Sequence, residues 1–248
     1  MSGPLTQTSP RRAALVAGAG YVAVFVLAIF ANFFVRTGLV DPDDARATYA
    51  NIAESPMLFR WGLVSFVAVF VIDVVIAWAL YVLFRAVSQE LSLLAAWLRL
   101  VYTVFLGVAA IFLFVVVELV SGAAYLTAFD QGQLDAQVTL SMNAFNHAWL
   151  IGLASFGLHL LVLGYLVLAS RLAPRWLGVV LMAAGTAYIV DTVANALLST
   201  YDEHANLFLA LVAVPSVVGE LGFTVWLLAR GGKAVEHVTA QEKSLVTR

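Results

Sequence analysis

Six long apolar runs, Ala13–Val35, Trp61–Phe84, Trp97–Gly122, His147–Ala169, Trp176–Leu198 and Asn206–Ala229, occupy most of this sequence. A helix needs about 20 predominantly apolar residues to cross a hydrocarbon core. Lipid offers nothing to bond backbone N–H and C=O groups, so each crossing segment must pair them internally, as a helix does. The expected fold is therefore all-α, an integral membrane bundle of six transmembrane helices. Of the 248 residues, 62% are hydrophobic and only 11% are charged. A soluble domain carries about a quarter charged residues, so the main partner of this surface is the lipid bilayer. The net charge of −2 leaves no basic footprint for nucleic acid. The absence of cysteine excludes disulfides, thiolate zinc sites, iron–sulfur clusters and a cysteine nucleophile together.

The first run follows Arg11 and Arg12, as a signal peptide would. Its apolar core is too long for one and no small-x-small cleavage pattern follows, which makes it a retained helix. Residues 1–12 then form a cytoplasmic segment, residues 13–230 the transmembrane domain, and residues 231–248 a flexible cytoplasmic tail. Nine of the 13 lysines and arginines (Arg11, Arg12, Arg85, Arg171, Arg175, Arg230, Lys233, Lys243 and Arg248) fall on one side of this topology. Arg36, Arg46 and Arg60 fall on the other. Excess positive charge marks the cytoplasm, so both termini are expected there, in a bacterial cytoplasmic membrane. Trp61, Trp97, Trp149, Trp176 and Trp226 lie near span ends, where an interfacial aromatic belt would place them.

Short interfacial helices are expected in the first and third connections. Asp41-Pro42-Asp43-Asp44 reads as an N-cap, a proline at the first helical position and acids in the first turn. Its helix should run to about Ala53, with Tyr49 and Ile52 on the apolar side, and end at Pro56. In the third connection Leu134, Val138, Met142, Phe145 and Trp149 recur at helical spacing, which extends the fourth span upstream of His147. Asn143 and Asn146 occupy the opposite side.

Four stretches together resemble the pattern of a known family. They are Leu94-Ala95-Ala96-Trp97-Leu98-Arg99-Leu100; Phe156-Gly157-Leu158-His159-Leu160 with Gly164-Tyr165-Leu166; Pro174-Arg175-Trp176-Leu177-Gly178 with Gly185, Tyr188 and Asp191; and Glu220 with Trp226-Leu227-Leu228. Their order and spacing resemble the bacterial multi-pass family labelled domain of unknown function 4386, over nearly the whole chain. The resemblance implies a membrane-embedded helical protein and brings no catalytic residues with it.

Ionisable groups inside the runs are the functional lead, because such groups are costly in hydrocarbon and face protein or water. Asp73 lies midway along the second run. Fifteen Leu, Ile, Phe and Val residues in that run contribute roughly −0.3 to −0.6 kcal/mol each against about +3 for a central aspartate, so insertion proceeds while the carboxylate turns inward. Arg99 is the natural structural partner of Asp73 or Glu220. Its depth depends on where the third crossing begins within Leu91–Leu126, and an early start moves Glu118 to the boundary. His159 sits mid-span between Gly157 and Gly164. Tyr188, Asp191 and Asn195 share one face of the fifth helix, while Pro215 and Gly219 loosen the sixth around Glu220.

Two functions compete. Asp73, Glu118, His159, Tyr188, Asp191, Asn195 and Glu220 either line an intramembrane pocket for a small or lipidic molecule, or specify helix packing in a non-catalytic accessory component. Transport and catalysis are both open under the first reading. No His-Glu-x-x-His, Gly-x-Ser-x-Gly or phosphate-binding loop occurs. Gly18-Ala19-Gly20 reads as close helix packing. His147 and His159 lie roughly 18 Å apart along one helix at 1.5 Å per residue, too far to share an ion, so a single-histidine carboxylate site is all that remains for a metal; with that weak ligand set neither a metal nor a cofactor is expected.

Overall fold

The structure is a computed structural model that describes residues 8–232. It contains the helices α1 (Pro10–Leu39), α2 (Ala45–Glu54), α3 (Pro56–Phe84), α4 (Gln89–Leu119), α5 (Gln131–Ser170), α6 (Arg175–Leu197) and α7 (Ala205–Ala229). Short 3-10 turns occupy Ala124–Ala128 and Asp202–His204. All except α2 are long and apolar enough to cross a membrane, the last counted from Asp202, and no strand occurs among the described residues. Most of the expected tail lies outside the described residues.

Several helices begin well before their apolar runs because capping chemistry, not hydropathy, sets a helix start. Pro56 opens α3, where its missing N–H costs nothing. Ser88 caps α4 by accepting from the Leu91 N–H at 3.3 Å. Asp130 and Gln133 form a reciprocal capping box at the start of α5: Gln133 N–H donates to Asp130 Oδ1 at 2.8 Å and Asp130 N–H to Gln133 Oε1 at 3.0 Å. The early start of α4 puts Arg99 ten residues inside the helix and Glu118 at its last turn.

The first connection corrects one expectation. Asp41 does not cap α2; Asp44 does, accepting from Ala47 N–H at 2.9 Å. Asp41 is held in a turn instead. Its side chain accepts from Asp43 N–H at 3.0 Å, and its backbone N–H and C=O both bond the Thr48 hydroxyl at 2.9 Å. Ile52 is buried as its periodicity requires.

The chain divides into two compact units. One comprises Met1–Val22, Val74–Val101 and Leu153–Arg248. Here α1 buries a stripe of Ala13, Ala14, Ala17, Gly18 and Tyr21, small residues that let helices approach closely. Arg11 closes the end of α7: Nη1 donates to the Leu227 and Gly231 carbonyls at 3.0 Å and Nη2 to that of Leu228 at 2.6 Å. The Leu227 and Leu228 carbonyls are among the acceptors a helix C-terminus leaves unpaired. α5 and α6 meet antiparallel at two glycine levels. A Cβ on Gly157 would stand 2.6 Å from the Gly185 carbonyl oxygen, and one on Gly164 would stand 2.6 Å from that of Gly178.

The other unit comprises Ala23–Asp73 and Tyr102–Gly152. Phe66, Phe145 and Trp149 form its aromatic centre, with ring centroids 5.0 to 5.8 Å apart. Gly62 receives Val35 and Gly107 receives Phe70. Trp61, Trp97 and Trp176 are more than half exposed, as belt residues should be, but Trp226 is 5% exposed. Trp226 stacks against Phe223 at 5.5 Å and Phe84 at 6.5 Å in the first unit. Trp149 likewise packs inward, since an indole buries more area against rings than an interface offers it.

Candidate functional site

The densest cluster of buried polar groups lies in the first unit around Arg99, which is 2% exposed. Ten residues after the start of α4, it sits roughly 15 Å along the helix axis at 1.5 Å per residue. Its Nη1 donates to the Tyr21 hydroxyl at 2.8 Å and approaches His159 Nε2 at 3.4 Å. A guanidinium can only donate, so Nε2 is the acceptor and the imidazole proton resides on Nδ1. That nitrogen donates to the Ala95 carbonyl at 2.8 Å. One turn earlier, Ser155 donates to the Leu98 carbonyl at 2.8 Å. Together these two bonds stitch α5 to α4.

Rings complete the shell of the cation. The guanidinium carbon lies 4.8 Å from the Tyr21 centroid and 5.3 Å from that of Phe156, within cation–π range. Phe156 stacks on His159 at 5.6 Å and meets Tyr188 edge-on at 5.5 Å. His159 is 0% exposed and Tyr21 is 1% exposed. These contacts tie α1, α4 and α5 together, and both imidazole nitrogens of His159 are hydrogen-bonded.

Asp73 is 1% exposed and central in α3. Asp191 and Asn195 stand near the end of α6, where the Tyr201 hydroxyl donates to Asp191 Oδ1 at 2.7 Å. Tyr201 stacks on Phe208 at 5.0 Å. Its phenol is pushed up to about 12, by burial first and by the Asp191 carboxylate next. Glu118 is exposed and accepts a hydrogen bond from Tyr125, whose phenol that bond pushes up. Glu220 is half-buried on α7, its backbone carbonyl accepting from Thr224 at 2.7 Å. Ser216, one turn before it, has a buried hydroxyl without a partner. Among the described residues no three His, Asp or Glu side chains gather as metal ligands.

Sequence reasoning passed over Tyr21, Phe156 and Tyr201. A signal for Tyr21 was available: it stands at i+7 from Ala14 and i+3 from Gly18, on the small-residue stripe that marks the buried face of α1.

Comparison with known proteins identifies relatives of the chain. An archaeal protein of Archaeoglobus fulgidus, described as "Uncharacterized protein", is 29% identical over 179 residues, covering 72% of this chain and 89% of its own. No solved structure matches the chain. The family described as "Domain of unknown function (DUF4386)" matches residues 16–231, including the Arg99, His159 and paired-glycine positions, and the chain belongs to that family.

Proposed function

We propose that the chain is a non-catalytic component of a bacterial cytoplasmic membrane, with both termini in the cytoplasm, in which the buried polar groups specify how the helices pack. The orientation rests on the nine-to-three distribution of lysine and arginine outside the spans. One observation carries the packing role. Arg99 and His159 are 2% and 0% exposed and hydrogen-bond Tyr21, each other and the Ala95 backbone. Asp191 and Glu118 engage tyrosines of their own neighbouring connections, which also favours separate structural contacts over a shared chamber.

The test compares His159→Leu with His159→Gln in the purified full chain, by denaturant-induced loss of tertiary signal in mixed micelles. Leucine leaves the Arg99 donor buried without its acceptor, a loss of about 1–3 kcal/mol. The Ala95 carbonyl adds little, because it keeps its place in the α4 ladder. Glutamine retains an acceptor and a donor and should recover most of the difference. Wild-type stability in His159→Leu would refute the packing role.

A further inference from the structure

α1 changes its winding before it ends. Phe30–Arg36 is π-helical, a local widening common at functional positions. Its last residue, Arg36, follows Pro10 by roughly 39 Å at 1.5 Å per residue, more than the ~30 Å hydrocarbon core, which puts it at headgroup depth. Arg36 Nη1 donates to Asn32 Oδ1 at 2.9 Å, and Nη2 donates to Asn146 Oδ1. The guanidinium carbon lies 4.9 Å from the Phe145 centroid and 5.9 Å from that of Trp149. Among the described residues no carboxylate pairs with it.

A guanidinium offers five N–H donors, and here two neutral amide oxygens use two of them. Arg36 Nε and the nearby indole Nε1 of Trp149 are both buried without an acceptor. Beside Arg36 opens a recess of about 380 Å³ lined by Asn32, Thr37, Val40 and Pro42. The adjacent acids do not answer the charge: Asp41 and Asp44 direct their carboxylates to the amides of Asp43 and Ala47. Phe33 and Phe34, 68% and 66% exposed, lie on the preceding turn where acyl chains would run.

We propose that this recess binds a phosphate oxyanion, with Arg36 supplying the charge. The remaining Nη donors form the fork that phosphate oxygens accept from. Asn32 adds its second amide N–H, the first being held by the Ala28 carbonyl at 3.0 Å. A phospholipid headgroup and free phosphate share this chemistry.

The test is a binding titration on the full chain in a non-ionic detergent, by native mass spectrometry and calorimetry. The probes are inorganic phosphate, dioctanoyl phosphatidylglycerol and dioctanoylglycerol. Wild type should bind a phosphate-bearing probe, and Arg36→Gln should bind it at least about ten-fold more weakly, the loss of one charge-assisted bond. Saturation by phosphatidylglycerol but not inorganic phosphate identifies a lipid headgroup; saturation by both identifies the free anion. Arg36→Lys keeps the charge without the fork and should fall between, which preserves the comparison if the glutamine variant does not fold. Equal affinity of wild type and variants, equal binding of the phosphate-free diacylglycerol, or no binding of either phosphate probe overturns the proposal.

Discussion

Gly185 offers the sharpest perturbation of this fold. Alanine there would put a Cβ 2.5 Å from the Gly157 carbonyl oxygen and 3.0 Å from the Leu161 backbone nitrogen. Both atoms belong to the α5 backbone and cannot rotate away. Reaching the ordinary 3.4 Å means moving α6 outward by about 0.9 Å, since 2.5 Å is where the contact starts. Overpacking of this kind costs about 1–3 kcal/mol, and a backbone obstacle belongs in the upper half of that range. Alanine recovers at most about 1 kcal/mol of helix propensity, so the net expectation is a loss of about 1–2 kcal/mol. Lipid tails are as apolar as the lost contact, and no hydrophobic term draws the helices back. Because one outward step also relieves the Gly157 level, Gly157→Ala/Gly185→Ala should cost clearly less than the sum of the singles. The assay is unfolding in mixed micelles followed by tryptophan fluorescence, with Gly38→Ala as control because nothing lies within 4 Å of its added Cβ. Gly185→Ala within about 0.5 kcal/mol of wild type, or strict additivity in the double variant, would refute the close crossing.

Three further outcomes follow from single contacts. Arg11→Gln removes the guanidinium from three carbonyls at the end of α7 and should cost about 1–2 kcal/mol; hydrogen exchange should accelerate over the last turn of α7 before any global change. Arg171 holds a left-handed φ of 55° just past the end of α5; Arg171→Gly should raise stability by about 1 kcal/mol, read in the same micelle titration. The Tyr201 phenol, raised to about 12 from the usual 10 by burial and then by Asp191, contributes its stability fully below pH 10 and loses it as pH rises through 12. Ultraviolet phenolate absorbance of wild type minus Tyr201→Phe should therefore show a late-titrating tyrosine, and Asp191→Asn should bring that step earlier.

Much of the architecture was legible because partition into lipid is a sum over neighbouring residues. All six apolar runs became helices, and the periodicity of Leu134, Val138 and Met142 correctly extended α5 upstream of His147. Helix starts were displaced where a cap overruled hydropathy, at Ser88 and Asp130. The N-cap moved from Asp41 to Asp44 because Thr48 claimed the Asp41 backbone, a contact seven residues away that no local cap pattern contains. Trp226 and Trp149 sit near span ends yet face inward, since a position along a helix says nothing about the direction a side chain takes around it.

The sequence by itself determined that this chain is all-helical, that six of its segments suit a membrane, and which family it resembles. Those properties follow from length, composition and short motifs, each a local quantity. Only the tertiary structure decided that Arg99 meets Tyr21 and His159, that Gly157 faces Gly185, and that Arg36 has neutral amides and aromatic rings for company. Such pairings depend on the azimuth and register of helices distant in the chain, and the low cost of rotating one apolar helix against another leaves that choice to a few contacts.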